Sequence, residues 1–310
     1  MDKYMRFNKI LVTGFSHENL DESVWDQVKI LSNEIVFEPA SDVDCLLARF
    51  NKVDKAVIDQ FPQLKYIGIL ATGYGTVDTQ YAQSKNIVVC NIPGYCTQSV
   101  GEYVFALILE HLRQLEKAKQ VAHAGDFSGD GFSATEISGK QFGVIGLGHI
   151  GQKVAEIAAF GFGAKVSYWS RSRKQDVENK SIVYTELDSL ISNSDFLTLH
   201  LNKAPETIGI LTKTRINSIK SGAILINVSP MELIDLDALE ARLQKGNLTF
   251  IFDHPDEMEK KDVDRLVQHP NCVVYPPIGF ITKEARVQKQ VIFVSNLEHF
   301  LNDSPINQVS

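Results

Sequence analysis

Cysteine is scarce in this 310-residue chain: Cys45, Cys90, Cys96 and Cys272 are the only four, and none stands in a Cys-x-x-Cys pair. That usage excludes a disulfide-stapled framework, gives no reason to expect a metal site, and fits reduced thiols in a cytoplasmic protein. No apolar run approaches the roughly 20 residues needed to cross a bilayer. The opening Met1-Asp2-Lys3-Tyr4-Met5-Arg6 lacks the apolar core of a secretory leader. Positive charge is not in excess either, since 31 Lys and Arg stand against 38 Asp and Glu for a formal net charge of −7. A general nucleic-acid or anionic-membrane binder is therefore not expected. What remains is a soluble globular composition, 44% hydrophobic and 22% charged, long enough for two domains.

Glycine is concentrated where it is most informative. Phe142-Gly143-Val144-Ile145-Gly146-Leu147-Gly148-His149-Ile150-Gly151 runs from an apolar β-type stretch through Gly-x-Gly-x-x-Gly into a helical pattern over 152–160. A second β-type run follows at 164–169. This is the order of a dinucleotide-binding βαβ unit. Gly146 permits the tight turn, Gly148 lets the backbone approach a pyrophosphate, and Gly151 lets helix and strand pack closely. The helix N-terminus then offers free N–H groups to the phosphates.

Acidic residues are missing at the end of that second strand. An NAD site places a carboxylate there for the ribose 2′-hydroxyl. This chain reads Trp169-Ser170-Arg171-Ser172-Arg173-Lys174, with no carboxylate before Asp176. Guanidinium groups pair well with phosphate oxygens. The text favours NADP(H), with Ser170, Arg171 and Arg173 at the 2′-phosphate, and NAD(H) stays the alternative.

Elsewhere the chain alternates short apolar runs with amphipathic stretches. Runs at 9–13, 35–38, 45–49, 66–71 and 87–91 read as strands, with helices at 21–32, 53–60 and 77–84 between them. A long amphipathic segment at 99–123 leads to the fingerprint. Beyond it, strands are expected at 195–199, 223–227, 248–252 and 272–274, and helices at 187–191, 235–244 and 283–301. Alternation of this kind implies parallel sheets covered by helices on both faces. The fold class is thus α/β, two Rossmann-type (doubly wound parallel sheet) domains with an interdomain cleft. We expect a discontinuous, flavodoxin-like substrate-binding domain at 1–100 and 283–310, and a dinucleotide-binding domain at 101–282.

An ordered set of motifs extends the reading. Ala71-Thr72-Gly73-Tyr74-Gly75-Thr76-Val77-Asp78, Asn91-Ile92-Pro93-Gly94-Tyr95 and Ser99-Val100-Gly101-Glu102 come first. Ser138-Gly139-Lys140, Leu199-His200, Glu206-Thr207 and Gly222-Ala223-Ile224-Leu225-Ile226-Asn227 follow. With the fingerprint, they resemble the D-isomer-specific 2-hydroxyacid dehydrogenase family, in its glycerate dehydrogenase, hydroxypyruvate and glyoxylate reductase branch, over nearly the whole chain. The resemblance implies an oxidoreductase of small 2-hydroxy and 2-keto acids, dimeric through the nucleotide domain, a role the 99–123 helix would suit. It implies cofactor contacts at His149, Ile150, Ser170, Arg171, Leu201, Asn202, Val228, Ser229 and Asp253, with His149 where an arginine is usual. It also implies a substrate carboxylate held by backbone N–H groups of Gly73, Tyr74 and Gly75.

The same resemblance breaks at the chemistry. Family members carry an arginine after Asn-Thr-Ala, a glutamate shortly after the Leu-Asp-Val strand, and a histidine in Thr-Pro-His-Ile-Gly. The corresponding text here is Asn227-Val228-Ser229-Pro230, Phe252-Asp253-His254-Pro255-Asp256-Glu257-Met258 and Tyr275-Pro276-Pro277-Ile278-Gly279. Reducing a 2-keto acid needs hydride at the carbonyl carbon and a proton at its oxygen. The arginine pairs with the substrate carboxylate, the histidine donates the proton, and the glutamate stabilises the histidine cation. Pro230, Met258 and Pro277 can do none of this.

Replacements lie nearby in the text. Glu257 and Glu259 flank Met258, His254 follows Asp253 at a strand end, and Tyr275 stands beside the lost histidine. His254 and Tyr275 are the substitute acids to weigh. His200 reads as a hydrogen-bonded structural histidine, Tyr95 and Cys96 as packing, and Asp235 as a helix N-cap. The expected function is an NAD(P)-binding family member whose ordinary 2-keto acid reduction is impaired or reprogrammed, down to a pseudoenzyme that senses cofactor or a partner. The alternative is an active NADPH-dependent hydroxypyruvate or glyoxylate reductase with relocated acid–base residues. The partners expected are a small ligand in the cleft and a second copy of the chain.

Overall fold

Alternating side-chain direction along each apolar run lets one strand feed two helical layers at once. The computed structural model describes residues 5–49, 51–178 and 181–309. The opening residues 1–4, read above for a leader, lie outside the described residues. The chain divides into two compact units, Met1–Cys96 with Thr282–Ser310, and Thr97–Ile281.

In the first unit, β1 (Phe7–Thr13), α1 (Glu22–Ile30), β2 (Ser32–Val36), β3 (Cys45–Ala48), α2 (Lys55–Ile58), β4 (Tyr66–Ile69), α3 (Thr79–Ser84) and β5 (Val88–Cys90) build a parallel sheet in the order β2-β1-β3-β4-β5. Ile10 pairs with Ile35 on one side and Cys45 on the other. Ile10, Val12, Cys45, Leu47 and Tyr66 pack with Val24, Trp25 and Val28 of α1 on one face. Leu11, Leu46, Ala48, Ile67 and Val89 pack with Ile58 and Ala82 on the other. Strands β3 and β4 are buried at every position, as parallel strands between two helical layers are.

The second unit holds α4 (Thr97–Arg113), α5 (Leu115–His123), β6 (Gln141–Ile145), α6 (His149–Glu156), β7 (Lys165–Trp169), β8 (Ile182–Tyr184), α7 (Leu187–Asn193), β9 (Phe196–Leu199), α8 (Lys213–Ser218), β10 (Ala223–Asn227), α9 (Leu236–Gln244), β11 (Leu248–Phe252), α10 (Lys260–Val267) and β12 (Cys272–Val274). Its seven-stranded parallel sheet runs β12-β11-β10-β9-β6-β7-β8. Val144, Tyr168, Ile224 and Ile226 meet α4 and α6 on one face, while Leu197, Leu225 and Phe250 meet α7, α8 and α9 on the other. The final helix, α11 (Lys283–Leu301), packs Phe293, Val294 and Leu297 into the first unit's core. Asp54, Asp78, Thr212, Asp235 and Thr282 cap helices through their side chains. No helix among the described residues is long and apolar enough to cross a membrane.

Some elements differ from the sequence reading. The single helix expected at 99–123 is two, because Gln114 adopts a left-handed conformation (φ +49°) between α4 and α5. Its side chain donates to the Ser133 carbonyl at 3.1 Å, and Lys117 donates to that of Gly131 at 2.9 Å, so the following loop holds the break. The helix expected at 53–60 shrinks to α2, since Val53 is taken into a bridge with Val77 and Asp54 caps what remains. Strand β8 and helices α8 and α10 were not expected; each is short, with few apolar positions from which to read a period.

Candidate functional site

The fingerprint turn is built by exclusion of side chains. After β6, Gly146 sits at φ +96° and donates its N–H to the Trp169 carbonyl at 2.8 Å. A Cβ there would fall 2.5 Å from the His200 carbonyl oxygen, and a Cβ on Gly151 only 1.9 Å from that of Gly146. A Cβ on Gly148 would meet nothing within 4 Å. Two glycines therefore serve packing, and the third borders open space. Helix α6 starts at His149 with Gly148 as its N-cap and no side-chain cap. Its first N–H groups, those of His149, Ile150 and Gly151, have no intrahelical acceptor, and this pole of the helix favours anions.

At the end of β7 the two arginines differ. The Arg171 side chain is 84% exposed and donates to Glu206 at 2.8 Å. Such a surface pair contributes little and exchanges easily. Arg173 is forked onto Glu178 at 2.7 and 2.6 Å, and Glu178 also accepts the Tyr168 hydroxyl at 2.9 Å. Arg173 is thus engaged where Arg171 is presented. The Ser170 hydroxyl donates to the Ser172 carbonyl at 2.7 Å, which curls this loop.

The ends of β9, β10 and β11 lie side by side. Ser229 donates its hydroxyl to the Leu199 carbonyl at 3.0 Å and accepts from the Leu201 N–H at 3.3 Å, drawing Leu201, Val228 and Ser229 together. The Asn202 carbonyl accepts the Thr207 hydroxyl at 2.7 Å. Asp253 is buried one residue past β11. These residues, with the Gly146–Gly151 turn and Arg171, line the carboxyl edge of one sheet, where ligands of open α/β sheets bind. Gly73, Tyr74 and Gly75 follow β4 in the first unit; Tyr74 is exposed, and a Cβ on either glycine would meet nothing within 4 Å.

The positions where family chemistry is expected carry other groups. Pro230 begins a short turn after β10, Met258 packs against the apolar core after β11, and Pro277 lies past β12. Of the substitutes, His254 has a partner suited to an acid. Its Nδ1 lies 2.5 Å from Asp253 Oδ1. Burial works to lower the imidazole's pKa, but the hydrogen bond and charge of Asp253, with Glu257 and Asp256 adding, raise it above the ordinary value. Burial, against the charge of His254, also raises the Glu257 carboxyl. Glu259 instead pairs with Lys261 at 2.6 Å on the surface. Tyr275 donates its hydroxyl to Glu110 at 2.8 Å, and burial together with that carboxylate pushes the phenol up to about 12. It is a poor proton donor near neutrality.

Two residues of α4 escaped the sequence reading. Glu110 holds Tyr275, and Tyr103 donates to the Pro276 carbonyl at 3.2 Å while its ring would lie 2.6 Å from a Cβ on Gly279. Their spacing of seven puts both on one helix face; that period was visible, but its partner segment was not. His200 is half-buried, but both its ring nitrogens are shielded from solvent and neither is hydrogen-bonded among the described residues, unlike the hydrogen-bonded histidine expected from the sequence; the desolvation drives its pKa down to about 3.

The family model for D-isomer specific 2-hydroxyacid dehydrogenase, NAD binding domain, matches residues 105–279. A hydroxypyruvate reductase of Blautia hydrogenotrophica is 34% identical over 93% of this chain and 91% of its own length. A glyoxylate reductase of Thermococcus litoralis is 31% identical over 89% and 86%. Among solved structures, an acyclic imino acid reductase in complex with NADPH and D-Arg superposes with a TM-score of 0.86 at 27% identity, covering 97% of this chain and all (100%) of that one. A D-lactate dehydrogenase from Aquifex aeolicus, complexed with NAD and lactic acid, shares the fold at a TM-score of 0.84 and 24% identity, covering 96% of each chain. The chain belongs to the D-isomer specific 2-hydroxyacid dehydrogenases, a family of NAD(P)-dependent oxidoreductases with two Rossmann-like domains.

Proposed function

We propose that this chain binds NADP(H) in its second unit and that ordinary 2-keto acid reduction is impaired or redirected. One feature of the sequence carries the reading: in the segments after β10, β11 and β12, Pro230, Met258 and Pro277 stand where the motifs that the chain resembles have arginine, glutamate and histidine. The residues present fit the cofactor. The space beside Gly148 and the N–H groups opening α6 suit a pyrophosphate, and exposed Arg171 with Ser170 suits a 2′-phosphate. Leu201, Asn202, Val228, Ser229 and Asp253 would border the remainder. Bound NADPH would supply a hydride. Among the described residues, His254 backed by Asp253 is the candidate to hold and give up a proton, and Gly73-Tyr74-Gly75 would offer backbone N–H groups for a carboxylate.

A second reading is favoured by the likeness to an imino acid reductase. A protonated C=N carbon already has its proton on nitrogen, so hydride alone completes its reduction to an amine. Such a substrate needs no equivalent of the missing histidine. NADPH oxidation should be followed with glyoxylate and hydroxypyruvate, and with glyoxylate premixed with methylamine, alongside NADPH binding on the same sample. Binding with slow or absent turnover of the two acids supports the first reading, and turnover only with amine present supports the second. Fast reduction of the free acids would overturn both. The same reading carries a homodimer through the nucleotide unit and a cytoplasmic location, the first checked by light scattering and the second by fractionation.

A further inference from the structure

Three asparagines of the first unit, none of them given a task above, are joined through their side chains. Asn307, in the segment after α11, donates its amide to Asn296 Oδ1 at 2.8 Å. Asn296, buried on α11, donates its own amide to the Asn91 carbonyl at 2.8 Å. Asn91, buried one residue past β5, donates its amide to the Thr72 carbonyl at 2.7 Å. Main-chain bonds run beside this series. The Asn91 N–H donates to the Asn307 carbonyl at 3.2 Å and the Val309 N–H to that of Val89 at 2.8 Å, so the segment lies antiparallel along β5.

The series ends one residue before Gly73. The Thr72 carbonyl and the Gly73 N–H belong to one planar, trans peptide group and point in opposite directions. Whatever fixes that carbonyl therefore aims that N–H. Thr72 is fixed a second time, because its hydroxyl donates to the Ile92 carbonyl at 3.1 Å, and the Ile92 N–H donates to the Ala71 carbonyl at 3.0 Å. The loop has no such hold of its own. Gly73, Tyr74 and Gly75 are exposed, and their N–H groups make no hydrogen bond among the described residues. A Cβ on either glycine would meet nothing within 4 Å, and glycine has wide backbone freedom. A carbonyl that accepts a hydrogen bond also polarises its own peptide group, which makes the attached N–H a stronger donor.

We infer that Asn91 is a positioning residue: its amide aims and polarises the Gly73 N–H toward a ligand carboxylate, and Asn296 and Asn307 hold Asn91 in place for it. The inference rests on the reading that this loop takes a carboxylate, and it needs no turnover and no residue of the second unit.

The test uses the full chain and oxalate, a dicarboxylate that stands in for a 2-keto acid. Affinity is measured by titration calorimetry, and amide hydrogen exchange is followed in peptides covering residues 72–76. Oxalate should bind the native chain and slow exchange there. Asn91→Ala should weaken oxalate about tenfold or more, the scale of one hydrogen bond to a charged group, and speed exchange in the ligand-free loop. Asn307→Gly should act in the same direction by less. Glycine keeps the backbone at that φ of +54°, so this variant decides the matter if Asn91→Ala does not fold. Val309→Ala loosens the same segment through packing alone and should lower the melting temperature without changing oxalate affinity. Unchanged oxalate affinity in the asparagine variants would overturn the inference. An equal loss in Val309→Ala would also overturn it, by making the series a brace of the fold and nothing more. Failure of oxalate to bind the native chain, or binding that leaves exchange at 72–76 unaltered, would remove the carboxylate reading of the loop and this inference with it.

Discussion

The Tyr275 hydroxyl donates to Glu110 across 165 residues of sequence, pinning the segment after β12 to α4. That bond occupies the proton a relocated phenolic acid would need, and the phenol's pKa of about 12 leaves it a weak acid. Tyr275→Phe is therefore expected to leave any NADPH-dependent turnover within about twofold while costing roughly 1.5–3 kcal/mol of stability, the usual worth of a hydrogen bond to a charged group. Steady-state rates and urea midpoints on the same variant check both halves. A large loss of rate with unchanged stability would reinstate Tyr275 as an acid.

The architecture was legible because it rests on local pattern. Strand β6, the three glycines and the apolar run of β7 are contiguous, and each glycine's job follows from backbone sterics. The two parallel sheets follow from apolar runs at regular intervals, and the 283–301 period coincides with α11 to the residue. What could not be read depends on tertiary neighbours. Gln114 breaks a helix without being glycine or proline, held by a loop that lies later in the chain. Arg171 and Arg173 look equivalent in text, and only the placement of Glu178 distinguishes them. His254 and Asp253 are adjacent in sequence, but adjacency does not orient side chains; the 2.5 Å contact needed the strand end of β11 to aim them.

Two glycines of one motif should respond oppositely to the same substitution. Gly148→Ala adds a methyl into open space at a backbone conformation any residue adopts (φ −79°), so the protein should fold with unchanged or slightly higher stability. NADPH affinity should nonetheless fall about tenfold or more, because that methyl takes the pyrophosphate's place. Gly151→Ala drives a Cβ to 1.9 Å from a carbonyl oxygen and should destabilise the second unit outright. Thermal melts with and without NADPH separate the two. Undiminished NADPH binding by Gly148→Ala would remove the cofactor from this turn.

Arg171→Ala is expected to weaken NADPH by roughly 1–3 kcal/mol, the scale of a charge-assisted hydrogen bond, and to leave NADH nearly unchanged. Arg173→Ala should change the NADPH-to-NADH ratio far less, since its guanidinium is held by Glu178; its cost should appear as looser packing around Tyr168. Nicotinamide fluorescence titration gives both affinities. Equal weakening of the two cofactors by Arg171→Ala would refute its assignment to the 2′-phosphate.

His200 gives the fold an acid-sensitive limb. Its folded pKa, about 3, lies below the ordinary 6.5, so the neutral ring is the folded form and the unfolded chain binds the extra proton between those values. Stability attributable to this group is complete above pH 6.5 and is lost as pH falls, at about 1.4 kcal/mol per pH unit within that window. Urea unfolding at pH 7, 6 and 5 should show the slope, and His200→Leu should reduce it by one proton's worth. A slope unchanged in the variant would assign the acid sensitivity to carboxylates instead.

Activity against 2-keto acids is the sharpest test of the site. If, as proposed, Pro230, Met258 and Pro277 stand in place of carboxylate clamp, charge partner and proton donor, glyoxylate and hydroxypyruvate reduction should run at least ~10³-fold below an intact relative, given the usual worth of one acid–base group. Pro277→His alone should recover little, because residues that act as a unit are not additive; Pro230→Arg, Met258→Glu and Pro277→His together should recover more. Any residual rate that depends on His254 should hold at low pH and fall as pH rises through its raised pKa, since the protonated ring is the donor. His254→Asn should abolish that limb while NADPH still binds. Near-normal reduction by the native chain, with a pH profile indifferent to His254→Asn, would mean that neither the lost triad nor this histidine governs the chemistry.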